Sequence, residues 1–99
     1  MGRRSRVILI NEKDNVATAL EPLEAGTVIA LEVGGRTERV AISSAVPPGH
    51  KFALRQIEAG EVVVKYGEPI GDAVKGIAPG EHVHVHNVVS KGKKVQGAR

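Results

Sequence analysis

Three histidines alternate with two valines in the stretch Pro79-Gly80-Glu81-His82-Val83-His84-Val85-His86-Asn87. On a β-strand successive side chains leave on opposite faces. The spacing therefore predicts a strand with His82, His84 and His86 on one face and Val83 and Val85 anchoring the other. Imidazole binds divalent metals through its neutral ring nitrogens, so all three histidines are candidate metal ligands. Same-face neighbours on a strand stand about 6.6 Å apart, and the outer pair, His82 and His86, about 13 Å. A neighbouring pair, His84 with His86 or His82 with His84, is expected to share one ion with ligands from elsewhere; all three would need a strongly bent strand. The competing reading is an exposed strand face that is merely rich in histidine.

A second stretch with chemistry in it is Lys65-Tyr66-Gly67-Glu68-Pro69-Ile70-Gly71. Its glycines and proline make a turn with little freedom, which would hold Lys65, Tyr66 and Glu68 in fixed directions. Lys65 could bind a carboxylate, Tyr66 could donate to an oxygen, and Glu68 could ligate a metal or pair with Lys65. Two further residues have an ordinary explanation beside a functional one. Asp14 or Asn15 is a good N-cap for a short helical turn through Val16-Ala17-Thr18-Ala19-Leu20. His50, delivered by Pro47-Pro48-Gly49, reads most simply as a surface residue.

The elements that must position these residues are short strands and tight turns. With 99 residues, one Phe, one Tyr, no Trp and 12 Gly, the chain is one domain whose core is built from Val, Ile, Leu and Ala. We expect an all-β fold. The absence of Cys removes disulfides, thiolate sites and Cys nucleophiles. An internal repeat organises the strands. Ala19-Leu20-Glu21-Pro22-Leu23-Glu24-Ala25-Gly26 returns as Ala53-Leu54-Arg55-Gln56-Ile57-Glu58-Ala59-Gly60 and as Ala73-Val74-Lys75-Gly76-Ile77-Ala78-Pro79-Gly80. Each copy ends on a Gly suited to a positive φ and leads into a strand: 27–31, 61–66 and 81–86. A short strand at Val7–Ile10 precedes them, and Leu31–Ile42 reads as a hairpin turning at Gly34-Gly35.

Charge is divided unevenly. Residues 1–6 and 91–99 hold seven of the basic residues and no acid, whereas the body between them has seven basic against eleven acidic residues, a net of −4. We therefore divide the chain into a basic lead (1–6), one folded domain (7–90) and a basic tail or linker end (91–99). An acidic body with almost no aromatic residues argues against a nucleic-acid binder. No apolar run is long enough for a signal-peptide core or a membrane span, so the expectation is a soluble, cytoplasmic protein without membrane contact. Exposed edge strands in so small a chain also favour self-association, hence a homo-oligomer.

Several ordered motifs carry a resemblance: Asp14-Asn15-Val16-Ala17, Gly49-His50-Lys51-Phe52-Ala53-Leu54, Lys65-Tyr66-Gly67, Pro69-Ile70-Gly71 and Gly80-Glu81-His82-Val83-His84-Val85-His86-Asn87. Over about Ile8 to Val88 the chain resembles the small N-terminal module of the altronate/galactarate dehydratase family, which also includes the small subunit of sulfolactate sulfo-lyase. One departure is Asn11, where some relatives carry His. The resemblance implies an SAF-type β-clip fold, here with short strands, a hairpin and one or two short helical turns. It also implies a large lyase subunit or C-terminal domain as partner, and a divalent metal: Fe2+ first, with Mn2+ or Zn2+ as alternatives.

On that basis the expected function is the small subunit or N-terminal domain of a hydroxy-acid lyase, eliminating water or sulfite from a sugar-acid-like substrate. Elimination beside a carboxylate needs a base, stabilisation of enolate-like charge and help for the leaving group. The residues assigned to catalysis are His84, His86, Lys65 and Tyr66, and those to metal His82, His84 and His86. Asp14, Asn15, His50, Lys51 and Asn87 are assigned to substrate contact, with the proton-abstracting base on the larger partner. The alternative is a freestanding module binding carbohydrate or peptide. A metal-storing or metal-sensing strand is a third reading, with only a thin ligand set.

Overall fold

A computed structural model describes residues 6–9 and 11–90 of the chain. Among the described residues nine short strands follow one another: β1 (Val7–Ile8), β2 (Val16–Ala19), β3 (Val28–Val33), β4 (Arg36–Ala41), β5 (Lys51–Ala53), β6 (Val62–Lys65), β7 (Glu68–Ala73), β8 (His82–Val83) and β9 (Val88–Ser90). The all-β expectation holds. No helix is present among the described residues, and the helical turn expected at Val16–Leu20 is instead strand β2. Both edges of β2 are taken, by β1 on one side and β5 on the other, and a helical turn would satisfy neither. Ile10, the end of the expected first strand, lies outside the described residues, as do the lead up to Ser5 and the tail from Lys91.

The centre of the molecule is the antiparallel sheet β1-β2-β5-β8. Alternation along its strands sorts side chains onto two separate cores. Ala17, Ala19 and Phe52 face one core, shared with Leu23, Ile29, Leu31, Val33, Val40, Ile42 and Val46. Val16, Ala53 and Val83 face the other, shared with Ile57, Val63, Ala73 and Ile77. The hairpin β3–β4 thus covers the first face and the hairpin β6–β7 the second. The first hairpin turns at Gly34-Gly35, with φ of 57° and 84°, as the sequence led us to expect.

The repeated turn occurs four times among the described residues, once more than the sequence showed. Leu23, Val46, Ile57 and Ile77 are each at most 1% exposed, and they pair as two isolated bridges, Leu23 with Val46 and Ile57 with Ile77. Each anchor is followed by a Gly with positive φ: Gly26, Gly49, Gly60 and Gly80, at 96°, 83°, 89° and 80°. The N–H of the residue after each Gly closes the turn onto the carbonyl three positions back, from Thr27, His50, Glu61 and Glu81 at 2.9–3.1 Å. That is the geometry of a turn needing a left-handed third residue, which Gly adopts without a Cβ clash. The fourth copy is Val46-Pro47-Pro48-Gly49, so the chain is two similar halves: a turn, a hairpin and a second turn, each half returning to the central sheet.

Candidate functional site

The four turns decide where the histidines go, because two of them open onto β5 and β8, which pair antiparallel with Lys51 opposite Val83 and Phe52 opposite His82. Continuing that register by one residue sets His50 opposite His84. Cross-strand partners share a face, so His50, His82 and His84 come together from two strands. The His50 ring stacks on His84 with centroids 4.1 Å apart and on His82 at 5.0 Å. His50 Nδ1 lies 2.8 Å from His82 Nε2. One ring nitrogen from each of the three residues lies within 4.8 Å of the others.

The strand expected through His86 ends at Val83. Beyond it the chain turns, and the device is Asn87, wholly buried. Its Nδ2 donates to the His82 carbonyl at 2.9 Å and its Oδ1 accepts from the His84 N–H at 2.9 Å. The backbone N–H groups of Asn87 and Val88 both close on the His84 carbonyl at 3.1 Å. Two expectations change as a result. Val83 is an anchor at 0% exposure but Val85 is not, at 81%. A straight strand would set the Cα atoms of His82 and His86 about 13 Å apart; with the chain turned, their ring centroids lie 5.2 Å apart. His86 is exposed at the rim, and the trio that converges takes His50 in its place.

The donor chemistry suits a cation. Two nitrogens on one ion at about 2.1 Å stand roughly 3.0–3.4 Å apart, so the His50–His82 pair is nearly placed and His84 needs only a short side-chain rotation. Imidazole ligands must be neutral to bind. Partial burial, then the charge of His50 and the other neighbouring cations, holds His82 below the ordinary histidine value. The same causes, with His50 and then Lys51 the foremost neighbours, lower His84. Ser44 fixes the backbone of this corner, its Oγ accepting from the His82 N–H at 3.0 Å.

Lys51 stands beside the trio and, with His84, lines an open groove of about 610 Å³ whose walls are Ile70, Val85, Val88 and Val89. Burial first, and Lys65 second, push the Lys51 ammonium below its usual value. Lys65 and Tyr66 sit on the β6–β7 turn, with Lys65 Nζ 4.5 Å above the Tyr66 ring. Asp14 holds that turn. Its buried carboxylate accepts the N–H groups of Tyr66 at 3.0 Å and Gly67 at 2.7 Å, and this offsets the unusual positive φ of Tyr66, 60°. Asn15 pins the adjoining strand, donating to the Val62 carbonyl and accepting from the Val64 N–H. Asp14 is therefore not a helix cap, and the side chains of Asp14, Asn15 and Asn87, expected against substrate, are spent on backbone groups. His50 is the member of the converging trio that local pattern missed. The available signal was the fourth turn, since Pro48-Gly49-His50 stands just before β5 as Pro79-Gly80-Glu81 stands just before β8.

Comparison with known proteins gives this corner its context. The chain is 46% identical over 80 residues to altronate dehydratase of Escherichia coli, and 37% identical over 89 residues to altronate dehydratase of Bacillus subtilis. It spans 15% and 17% of the lengths of those two proteins. Over 74 residues it is 43% identical to (2R)-sulfolactate sulfo-lyase subunit alpha of Chromohalobacter salexigens, and there it spans 79% of the relative. The altronate/galactarate dehydratase SAF domain matches residues 5–91. With nearly the whole chain inside that match, the protein belongs to the altronate/galactarate dehydratase SAF domain family.

Proposed function

We propose that this chain is the small module of a metal-dependent lyase acting on a hydroxy acid, working with a larger lyase body. The observation that carries the reading is the convergence of His50, His82 and His84 ring nitrogens within 4.8 Å in a chain whose relatives are named as dehydratases and as a sulfo-lyase subunit. The trio is the proposed cation site, with His86 at its rim. Three imidazoles suit iron or zinc better than manganese, which prefers oxygen ligands; divalent iron is the first choice. When bound, such an ion would supply Lewis-acid stabilisation of charge on a substrate oxygen.

The chain's own residues then orient the substrate. Lys51, half-buried beside His84, takes the substrate carboxylate, and Lys65 adds positive potential from the neighbouring turn. Tyr66, 53% exposed, is free to donate to a substrate oxygen. The base that removes the proton belongs to the larger body. Asp14, Asn15 and Asn87 hold the frame that keeps these groups in register.

The test is calorimetric titration of the chain with Fe2+ under anaerobic conditions, and with Zn2+. Replacing His50, His82 or His84 by Ala should each weaken binding by more than about 100-fold, beyond what losing a supporting group costs. His86→Ala should change it by less than about tenfold. Equal losses for all four variants, or saturable binding that survives His50→Ala, would remove the trio as the site.

A further inference from the structure

We propose that the apolar groove beside His84, walled by Ile70, Val85, Val88 and Val89, is the docking surface for the large lyase body. The identity of the partner rests on the preceding reading; the location rests on the surface itself. Val85 is 81% exposed and Val89 41%. Single exposed valines need no explanation. A valine at the tip of a turn, where small polar residues are favoured, together with apolar neighbours along one groove, does.

Three observations select the occupant. The chain spans only 15% of the Escherichia coli altronate dehydratase it resembles, so a body more than five times the size of the matched segment has to be accommodated against such a module. The groove is continuous with the candidate site, since Lys51 and His84 line it too; a body seated there covers the open side of the histidine trio and brings its own groups to it. Finally, β9 is the outer strand of the sheet β6-β7-β9, and its residues Val88, Val89 and Ser90 line the groove, so its outer backbone edge, unpaired with any strand among the described residues, can pair with an incoming segment. A second copy of the chain fits less well. On a two-fold axis running along the groove, the Lys51 ammonium of one copy would face that of the other, and like charges across an interface repel.

The experiment builds residues 6–90 into Escherichia coli altronate dehydratase in place of its matching segment, and compares amide hydrogen exchange with that of the free chain. Residues 84–90 should exchange at least tenfold more slowly in the chimera. The double variant V85D/V89D should return them to the free rate, and V85S/V89S, which removes apolar area without adding charge, should do so in part. V28D, on a separate groove between β1 and β3, should leave the protection intact. Equal exchange in both contexts, or protection reversed by V28D alone, overturns the proposal. Slowing that depends on concentration in the free chain overturns it in favour of a second copy. His50→Ala separates the two readings, because His50 belongs to the trio but does not line the groove: it should weaken metal binding by more than about 100-fold, beyond what losing a supporting group costs, while leaving protection of the groove in place.

Discussion

Asn87→Ala tests the link between the buried turn and the site most directly. Asn87 is wholly buried, and its amide satisfies the His84 N–H and the His82 carbonyl, both at 2.9 Å. Truncation leaves a donor and an acceptor unpaired next to the second core. Each unsatisfied buried group costs about 1–3 kcal/mol, so the expected loss is about 2–6 kcal/mol, with the lower figure applying if water enters the space left by the amide. For a domain with a net stability of about 5–15 kcal/mol this is a large fraction. It corresponds to a fall in melting temperature of at least about 8 °C. Urea unfolding followed by circular dichroism measures the first quantity. Fe2+ or Zn2+ titration at a temperature where the variant stays folded measures the second, and there the affinity should fall to that of His84→Ala, because the backbone that aims His84 is no longer held. Asn87→Asp should keep the His84 contact but set an oxygen against the His82 carbonyl, giving an intermediate loss. A change below about 1 kcal/mol for Asn87→Ala, with metal affinity intact, would show that the turn forms and aims His84 without this side chain.

Two further outcomes follow from the same geometry. An added Cβ at Gly80 would lie 1.9 Å from the Ala41 carbonyl oxygen, whereas one at Gly60 would meet nothing within 4 Å, although both residues have a similar positive φ. Gly60→Ala should therefore cost only the left-handed penalty of about 1–2 kcal/mol, and Gly80→Ala at least twice that in urea unfolding; equal costs would show that the close approach is not a constraint. The second outcome is a pH dependence. His82 and His84 are held below the ordinary value of 6.5 by partial burial first and neighbouring cations second, so the unfolded chain binds their protons more readily than the folded one. Their contribution to stability is complete above about pH 6.5 and is lost as the pH falls through the lowered folded values. The urea midpoint should drop between pH 7.5 and 5.5, and H82Q/H84Q should reduce that drop; an unchanged pH slope in the double variant would remove the histidines as its cause.

The local elements of this fold were legible where one residue and one backbone conformation imply each other. Gly26, Gly60 and Gly80 announced their turns because few other residues take a positive φ there without strain, and Gly34-Gly35 announced the hairpin for the same reason. Asp14 was ambiguous, since a carboxylate before an apolar run can cap a helix or accept from any backbone that reaches it. Here the acceptors' partners, Tyr66 and Gly67, lie more than fifty residues away. Alternation in His82–His86 correctly set Val83 inward, but it carried no information about Asn87 folding the chain back after two strand residues.

The sequence by itself determined an all-β chain of repeated glycine turns and a concentration of imidazole near its end, because turn geometry and side-chain alternation act over a few residues. The tertiary structure decided which imidazoles meet. His50 reaches His82 and His84 only because two glycine turns, separated by a full hairpin, deliver β5 and β8 to adjacent places in the central sheet, and because Asn87 stops His86 from continuing along the strand. Pairing of distant strands depends on burying two cores against one sheet, a property of the whole chain that no short segment encodes.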